Sequence, residues 1–440
     1  MSSVSEPGVD PAPIVDLFAP LDVDTESLLG DAVETVVDPS TTVAFEEGER
    51  WDLCGAVESY GRWCAKLDKQ AKKVRQDVLD IVQDRWMPVA SQMYQAGEFP
   101  DEVFTELGRV GAIGASVVGP GGVPMSKLAT CAIMHALEYG DGGLRCSLTI
   151  QDSVIQALVR FGDDAQRERW LQPLLSGRTI ASFALTEPGA GSDVRAVATE
   201  AKRSGGDWVI NGQKGWITNS PRADVLVIWA RTGERNNAMR GFLVEKGAPG
   251  LNIERITGAA SMRSGAVGRI SLDGVRVPDA SLLPHAWGLV DISACLDYNR
   301  LTVIFGVMGA ARFCLDSAVR YVKERRQFGV PIGSKQLVQA HIADMATSVV
   351  VGEMLSLHLA GRWQNTPPSR FEVSLAKRHN CAAALDVARR ARTLMGAHGI
   401  DLDHHVMRQM LNLEASSTYG GTHEIHGLVL GKTLTQESAF

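Results

Sequence analysis

Val225-Leu226-Val227-Ile228-Trp229 is a five-residue apolar run, and three more short runs share its character: Trp208-Val209-Ile210, Gly241-Phe242-Leu243-Val244 and Gly268-Arg269-Ile270-Ser271-Leu272. Most are rich in β-branched and aromatic residues, and Gly, Asn, Asp and Pro punctuate the gaps, as in strands joined by turns. Residues 180–283 are therefore predicted to form a small antiparallel β domain. The period changes on both sides. Between about residues 51 and 177, apolar residues recur at three- and four-residue steps, as at Val74, Val78, Ile81, Val82 and Trp86, with glycine-rich breaks at 119–122 and 140–143. From about residue 288 the helical period returns in four long segments, 290–326, 334–363, 369–396 and 402–435, enough for a second bundle. The fold class expected is α+β: an N-terminal helical domain (50–177), a middle antiparallel β domain (178–285) and a C-terminal four-helix bundle (286–440), with one functional interface between the layers.

Composition bounds the function. With 440 residues, 45% hydrophobic and 22% charged, the chain can bury a sizeable core. The seven cysteines include no C-x-x-C pair, so reduced buried thiols are expected and a metal site is not. Residues 1–49 hold twelve acidic residues and no Lys or Arg; with a whole-chain charge of -7, the remainder carries about +5 (-7 minus -12). That mild excess suits an anionic ligand, and the absence of a dense basic stripe argues against nucleic acid. No basic region precedes Arg50 and no uninterrupted apolar run is long enough to span a bilayer, so cytoplasmic residence and no membrane association are expected. The acidic arm reads as a solvated or partner-contacting segment.

Two blocks carry chemistry: Ala184-Leu185-Thr186-Glu187-Pro188-Gly189-Ala190-Gly191-Ser192-Asp193 and Asn211-Gly212-Gln213-Lys214-Gly215-Trp216-Ile217-Thr218-Asn219-Ser220. Glycines bring backbone N–H groups close to an anionic or carbonyl-rich ligand, Thr and Ser hydroxyls both donate and accept, and an exposed Trp can cover a flat ring. The same residues could simply turn the chain between strands, with Trp216 in the core.

These blocks resemble the two signatures of the acyl-CoA dehydrogenase family. The resemblance continues through Arg325-Arg326-Gln327-Phe328-Gly329, Gln336-Leu337-Val338-Gln339, Leu394-Met395-Gly396-Ala397-His398-Gly399-Ile400, Asn412-Leu413-Glu414-Ala415 and Thr418-Tyr419-Gly420-Gly421-Thr422-His423-Glu424-Ile425-His426. Within the family, Val330-Pro331-Ile332 and Thr422-His423-Glu424-Ile425-His426 look most like the glutaryl-CoA dehydrogenases. The resemblance implies FAD, with Phe183, Leu185, Thr186, Gly191, Ser192, Trp216, Ile217 and Thr218 lining the flavin. It implies that Arg325, Gln327, Phe328, Gln336, Gly396, Gly399, Thr422 and Glu424 hold the adenosine diphosphate part, some from a neighbouring subunit of a dimer of dimers. It also implies an acyl-CoA or acyl-carrier-protein thioester as substrate, contacted by Ser192, Tyr419 and Arg300, and an electron-transfer flavoprotein as a candidate acceptor. In glutaryl-CoA dehydrogenase an Arg and a Glu hold the distal carboxylate of the acyl group; Arg145 and Glu138 match them in Leu137-Glu138-Tyr139-Gly140-Asp141-Gly142-Gly143-Leu144-Arg145. Alternatively, Arg145 bridges to Asp141 or Glu138 for structure alone.

The chain departs from the pattern where the chemistry is hardest. Desaturating an acyl thioester needs a base for the α-proton and donors for the enolate oxygen. The family's usual base is the Glu of a Tyr-Glu-Gly-Thr block; here the block is Tyr419-Gly420-Gly421-Thr422. The isovaleryl type places its base on the helix after the β domain, where Leu296-Asp297-Tyr298-Asn299-Arg300 offers only Asn299 at the matching position. Gly420 still supplies a main-chain N–H for the enolate hole. Three readings stay open at this point. One is a reaction that makes its own enolate, such as decarboxylation or ring closure. Another is classical dehydrogenation by a substitute base among Tyr298, Asp297, Glu138 and His423. The third is a non-catalytic flavin- or acyl-binding subunit.

Overall fold

The computed structural model describes residues 64, 66–233, 239–364 and 366–437. The acidic arm at 1–49 lies outside them. The first helix, α1 (Lys69–Ile81), starts where Asp68 accepts the Ala71 amide at 2.8 Å. It buries Val74, Val78 and Ile81, and a π turn at Val82–Trp86 extends the stripe to Val82 and Trp86. Then follow α2 (Ala90–Ala96), α3 (Asp101–Arg109), α4 (Lys127–Gly140), α5 (Gly142–Phe161) and α6 (Asp164–Leu175).

A single residue separates α4 from α5. Asp141 is extended (φ -164) and its Oδ1 accepts the amides of Gly143 and Leu144 at 2.7 and 3.1 Å, capping α5. The same carboxylate accepts Ser264 Oγ at 2.7 Å, Asn412 Nδ2 at 3.1 Å and the guanidinium of Arg408, with both charged residues fully buried. One side chain thus ties the helical domain, a loop of the β domain and the C-terminal bundle together. Because Asp141→Ala leaves Arg408 buried without its anion, it is expected to destabilise the fold by about 3–5 kcal/mol, read as a lowered midpoint in urea denaturation.

The middle sheet contains β1 (Ala181–Ala184), β2 (Glu200–Ser204), β3 (Asp207–Thr218), β4 (Val225–Thr232), β5 (Met239–Glu245), β6 (Leu251–Arg255) and β7 (Val267–Pro278), ordered β1-β4-β2-β3-β7-β6 with β5 also on β4. The sheet is mostly, not wholly, antiparallel: β4 pairs parallel with β1 and β2. Alternation in a sequence reports which face of a strand is buried and is silent on direction. The continuous apolar run of β4 adds that both its faces are covered, and is equally silent on direction, since β4 pairs parallel with β1 and β2 and antiparallel with β5.

The C-terminal part holds α7 (Leu289–Glu324), α8 (Gln336–Arg362), α9 (Arg370–Leu394), α10 (Val406–Ser416) and α11 (His423–Thr435). The helix expected over 402–435 is therefore broken. Gly420 and Gly421 have φ of +67 and +97, a left-handed conformation that ends a helix, and Thr422 caps α11 by accepting the Ile425 amide at 3.2 Å. Both α7 and α8 are long and apolar enough to cross a membrane, although neither contains an uninterrupted apolar run of spanning length. For α7 the burial explains this: 83% of its most apolar stretch is packed inside the bundle. Cys131, Cys146, Cys295, Cys314 and Cys381 are buried thiols without disulfide partners.

Candidate active site

The two signature blocks meet at the end of the sheet. Gly215 N donates to Thr186 O at 3.0 Å, and buried Lys214 reaches Leu185 O at 3.0 Å and the Glu187 carboxylate at 2.8 Å. Glu187 also accepts the amides of Ala198 and Thr199 at 2.7 and 2.9 Å. These bonds hold its pKa below the usual carboxylate range against burial, which alone would raise it. Between Lys214 and Ile217 the register against β7 slips, and the bulge carries Trp216 at φ +60 with its side chain 62% exposed. A large ring kept uncovered by a strained backbone is what a planar ligand stacks against. Phe183, Leu185 and Ile217 are buried beneath, Thr186 is half-buried, and Gly191 and Ser192 lie exposed on the loop, with open space where a Cβ at Gly189 or Gly191 would be. Thr218 lies 3.7 Å, Oγ1 to Sγ, from Cys146 on α5, so the platform abuts the helix that carries Arg145.

The residues expected to hold adenosine diphosphate fall into two groups. Arg325, Gln327, Phe328 and Gln336 sit between α7 and α8, and a contact of His398 with Tyr321 brings Gly396 and Gly399 to the same end of the bundle. Phe328 is 93% exposed at φ +53, a second uncovered ring. Thr422 and Glu424 begin α11, whose His426 touches Ser374 in the first turns of α9. The 25 residues of α9 lie between the groups, about 37 Å at 1.5 Å per residue.

Where α4 and α5 pack against α7, Arg145 Nε donates to Glu138 Oε2 at 2.6 Å with both side chains fully buried, and an Arg145 terminal nitrogen donates to the Tyr419 hydroxyl. Asp141 does not take part, being held by Arg408. The pair is incomplete: Arg145 Nη1 and Glu138 Oε1 are buried without hydrogen-bond partners among the described residues. Burial pushes the Glu138 carboxyl up, with Arg145 opposing. The pair fits only because α7 passes it at Gly306, where a Cβ would stand 2.2 Å from Glu138 Oε2 and 2.9 Å from Arg145 Nε. Gly306→Ala is expected to force the pair apart, at a stability cost of about 1–3 kcal/mol and with a drop of about tenfold or more in affinity for any anion that the pair holds. Binding titrations and thermal melts check both.

The turn at 420 is clamped from behind. Gly420 O accepts from Arg300 Nε at 3.1 Å and lies 3.2 Å from His426 Nε2. Because a carbonyl only accepts, His426 carries its proton on Nε2, leaving Nδ1 to accept from the Ser374 hydroxyl at 2.9 Å. Burial, then Lys377 and Arg300, push the His426 pKa down to about 4. The Gly420 N–H has no partner among the described residues and stays available to an oxyanion. Of the four substitute bases, Tyr298 donates to buried Asp152 at 2.7 Å, Asp297 pairs with Arg300 at 2.6 Å and Glu138 pairs with Arg145. His423 opens α11 with its own amide bonded to Ser417 O. Asn299 accepts from Ser153 at 2.6 Å.

Sequence reading missed Lys377. Its Nζ donates to Ser416 O at 3.0 Å and Gly421 O at 2.9 Å, and its Cε would lie 3.4 Å from a Cβ at Gly420. A signal was present: Val373, Ala376, Asn380, Cys381 and Ala384 mark a buried stripe on α9, and Lys377 falls within it.

A strained, exposed Trp216 at the end of the sheet, a Gly420 N–H without a partner among the described residues and a fully buried Arg145–Glu138 pair are chemically suited to a planar ring, an oxyanion and a further anion. The family models agree, matching the acyl-CoA dehydrogenase N-terminal domain over 68–178, the middle domain over 182–275 and the C-terminal domain over 287–435. A probable acyl-CoA dehydrogenase, YngJ, of Bacillus subtilis is 32% identical, covering 84% of this chain and 99% of that one. A glutaryl-CoA dehydrogenase crystal structure from Mycobacterium smegmatis superposes with a TM-score of 0.81 at 40% identity, over 86% of this chain and 97% of that one. Another from the same organism, in complex with FADH2, gives 0.83 at 34% identity, over 87% and 98%. The chain belongs to the acyl-CoA dehydrogenase family, whose cofactor is FAD.

Proposed function

We propose that the protein is an FAD-dependent enzyme for a carboxylated, glutaryl-like acyl thioester, carried on CoA or a carrier protein, whose α,β-unsaturated (glutaconyl-type) form generates its dienolate by losing carbon dioxide, the C–COO⁻ electron pair passing into the conjugated thioester, rather than by surrendering an α-proton to residue 420. One observation carries the substrate: Arg145 is fully buried beside the Glu138 carboxylate, and its Nη1 has no partner among the described residues. A buried guanidinium with an open donor is costly until an anion completes it, which selects for an acyl chain ending in a carboxylate. The missing side chain carries the reaction type, because the four substitute bases named above are each bonded elsewhere or sit at a helix start. Ring closure would meet the same electronic requirement.

FAD fits this chain, given the uncovered rings of Trp216 and Phe328 and the open glycine loop. When bound, it supplies a hydride acceptor. Thr186, Ser192, Trp216 and Thr218 would line its ring, and the Gly420 N–H would polarise the thioester carbonyl. One chain would not bring both adenosine diphosphate groups to one cofactor across the length of α9, so Thr422 and Glu424 or the Phe328 group would come from a neighbouring copy. This supports a homo-oligomer, a dimer of dimers. An electron-transferring flavoprotein is the proposed acceptor where net oxidation occurs.

Mass spectrometry of products from a panel of dicarboxylyl and monocarboxylyl thioesters tests this reading. Carboxylated members alone should turn over, with loss of carbon dioxide or of the open chain. Equal turnover of the monocarboxylyl thioesters would defeat it.

A further inference from the structure

Loss of carbon dioxide leaves a carbanion that must be given a proton, and the groups around residue 420 narrow the source. His426 has its one proton committed to Gly420 O, the Tyr419 hydroxyl is held between Arg145 and Ser416 Oγ and burial pushes its pKa above the usual value, and Arg145 and Arg300 do not give up protons. Lys377 remains. It is 1% exposed, has no carboxylate of a described residue within hydrogen-bond reach, and spends two of its three N–H donors on Ser416 O and Gly421 O, the carbonyls that flank the turn. Its third N–H has no partner among the described residues. With glycine at 420, nothing of that residue's own lies between the lysine stem and the place where the family's glutamate would stand.

We propose that Lys377 is the general acid that protonates the carbanion in the gap above Gly420. The inference rests on the decarboxylative reading given above. For an unsaturated substrate the step balances without any redox change. The C–COO⁻ bond of a glutaconyl thioester breaks, its electron pair passes into the conjugated thioester, and the γ-carbon takes a proton as one Nζ–H bond breaks. Carbon dioxide, a crotonyl thioester and a neutral amine result, and solvent restores the ammonium. Burial lowers the lysine pKa from its usual value, and Arg300 on α7 and Arg145 on α5 lower it further. Cys381, one turn along α9, opposes them but is itself pushed up to about 11 and stays neutral, while His426 on α11 stays neutral above about 4. A weakly held proton on a buried ammonium is a strong acid for a carbon centre.

The test uses the full-length, FAD-loaded protein and carboxyl-labelled glutaconyl-CoA. The wild type should release label and form crotonyl-CoA, with a rate that is constant while the ammonium persists and falls as pH rises through the lowered lysine pKa. Lys377→Arg keeps donors for both carbonyls but holds its protons, so it should lose about 10²-fold or more in kcat at nearly unchanged KM. It should also lose the alkaline limb. Lys377→Arg with wild-type kcat would overturn the inference, since a purely structural lysine would be rescued by arginine. If that variant does not fold, a wild-type profile without an alkaline limb overturns it as well. No label release from the wild type would instead sink the decarboxylative reading beneath it.

Discussion

Arg145→Ala should lose its preference for carboxylated over plain acyl thioesters, with affinity for the glutaryl thioester falling about 10²-fold or more while that for a butyryl thioester changes little. Removing one member of a buried, hydrogen-bonded charge pair costs about 2–5 kcal/mol at a binding site, and about 1.4 kcal/mol is a factor of ten. Part of that cost is structural, since Glu138 is left fully buried without its cation. The double variant Arg145→Ala with Glu138→Gln separates the two effects. It removes the orphaned charge, so stability should recover, but selectivity should not. Unchanged preference in a folded Arg145→Ala would mean that the pair is only a bridge between α4 and α5.

Gly420→Glu should raise classical desaturation of a saturated thioester, because a positioned general base is worth about 10²–10⁴ in rate. The turn has room: a Cβ there would meet Lys377 Cε at 3.4 Å and Arg300 Cγ at 3.9 Å, and nothing closer. Both neighbours are cations at their tips, which would hold the new carboxylate ionised and ready to take a proton. Against this stands the φ of +67, which costs a residue with a side chain about 1–2 kcal/mol. The net expectation is a less stable but faster desaturase. A folded, flavinated variant with no gain in anaerobic flavin bleaching would show that residue 420 does not face the α-carbon.

How much of this could be read from the sequence differs from element to element. The strands were legible because β3, β4, β5 and β7 have apolar runs of strand length between turn residues; the parallel pairing of β1 and β2 with β4 was not, because side-chain alternation carries no direction. The long helices α7, α8 and α9 announced themselves by period. The break before α11 was hidden, since Gly420 and Gly421 read as a lost catalytic residue before they read as a helix stop. At the site, Glu138 and Arg145 were visible only through the resemblance to the glutaryl-CoA dehydrogenases, and nothing in their own spacing showed that they pair across the break at Asp141. The Asp141 hub was not, because its partners Ser264, Arg408 and Asn412 lie more than a hundred residues away in the chain. Lys377 escaped for a related reason: a lone lysine in a helical stripe passes for a solvated residue until its two carbonyl partners are known.

The account as a whole stands on a carboxylated thioester being activated without a base at residue 420. The most direct measurement compares two rates on one FAD-loaded preparation: flavin bleaching by glutaryl-CoA under anaerobic conditions, and carbon dioxide release from glutaconyl-CoA. Release from the unsaturated thioester should outrun bleaching by the saturated one by about 10²-fold or more. Bleaching as fast as release would mean that an efficient base for the α-proton exists, and would contradict the account.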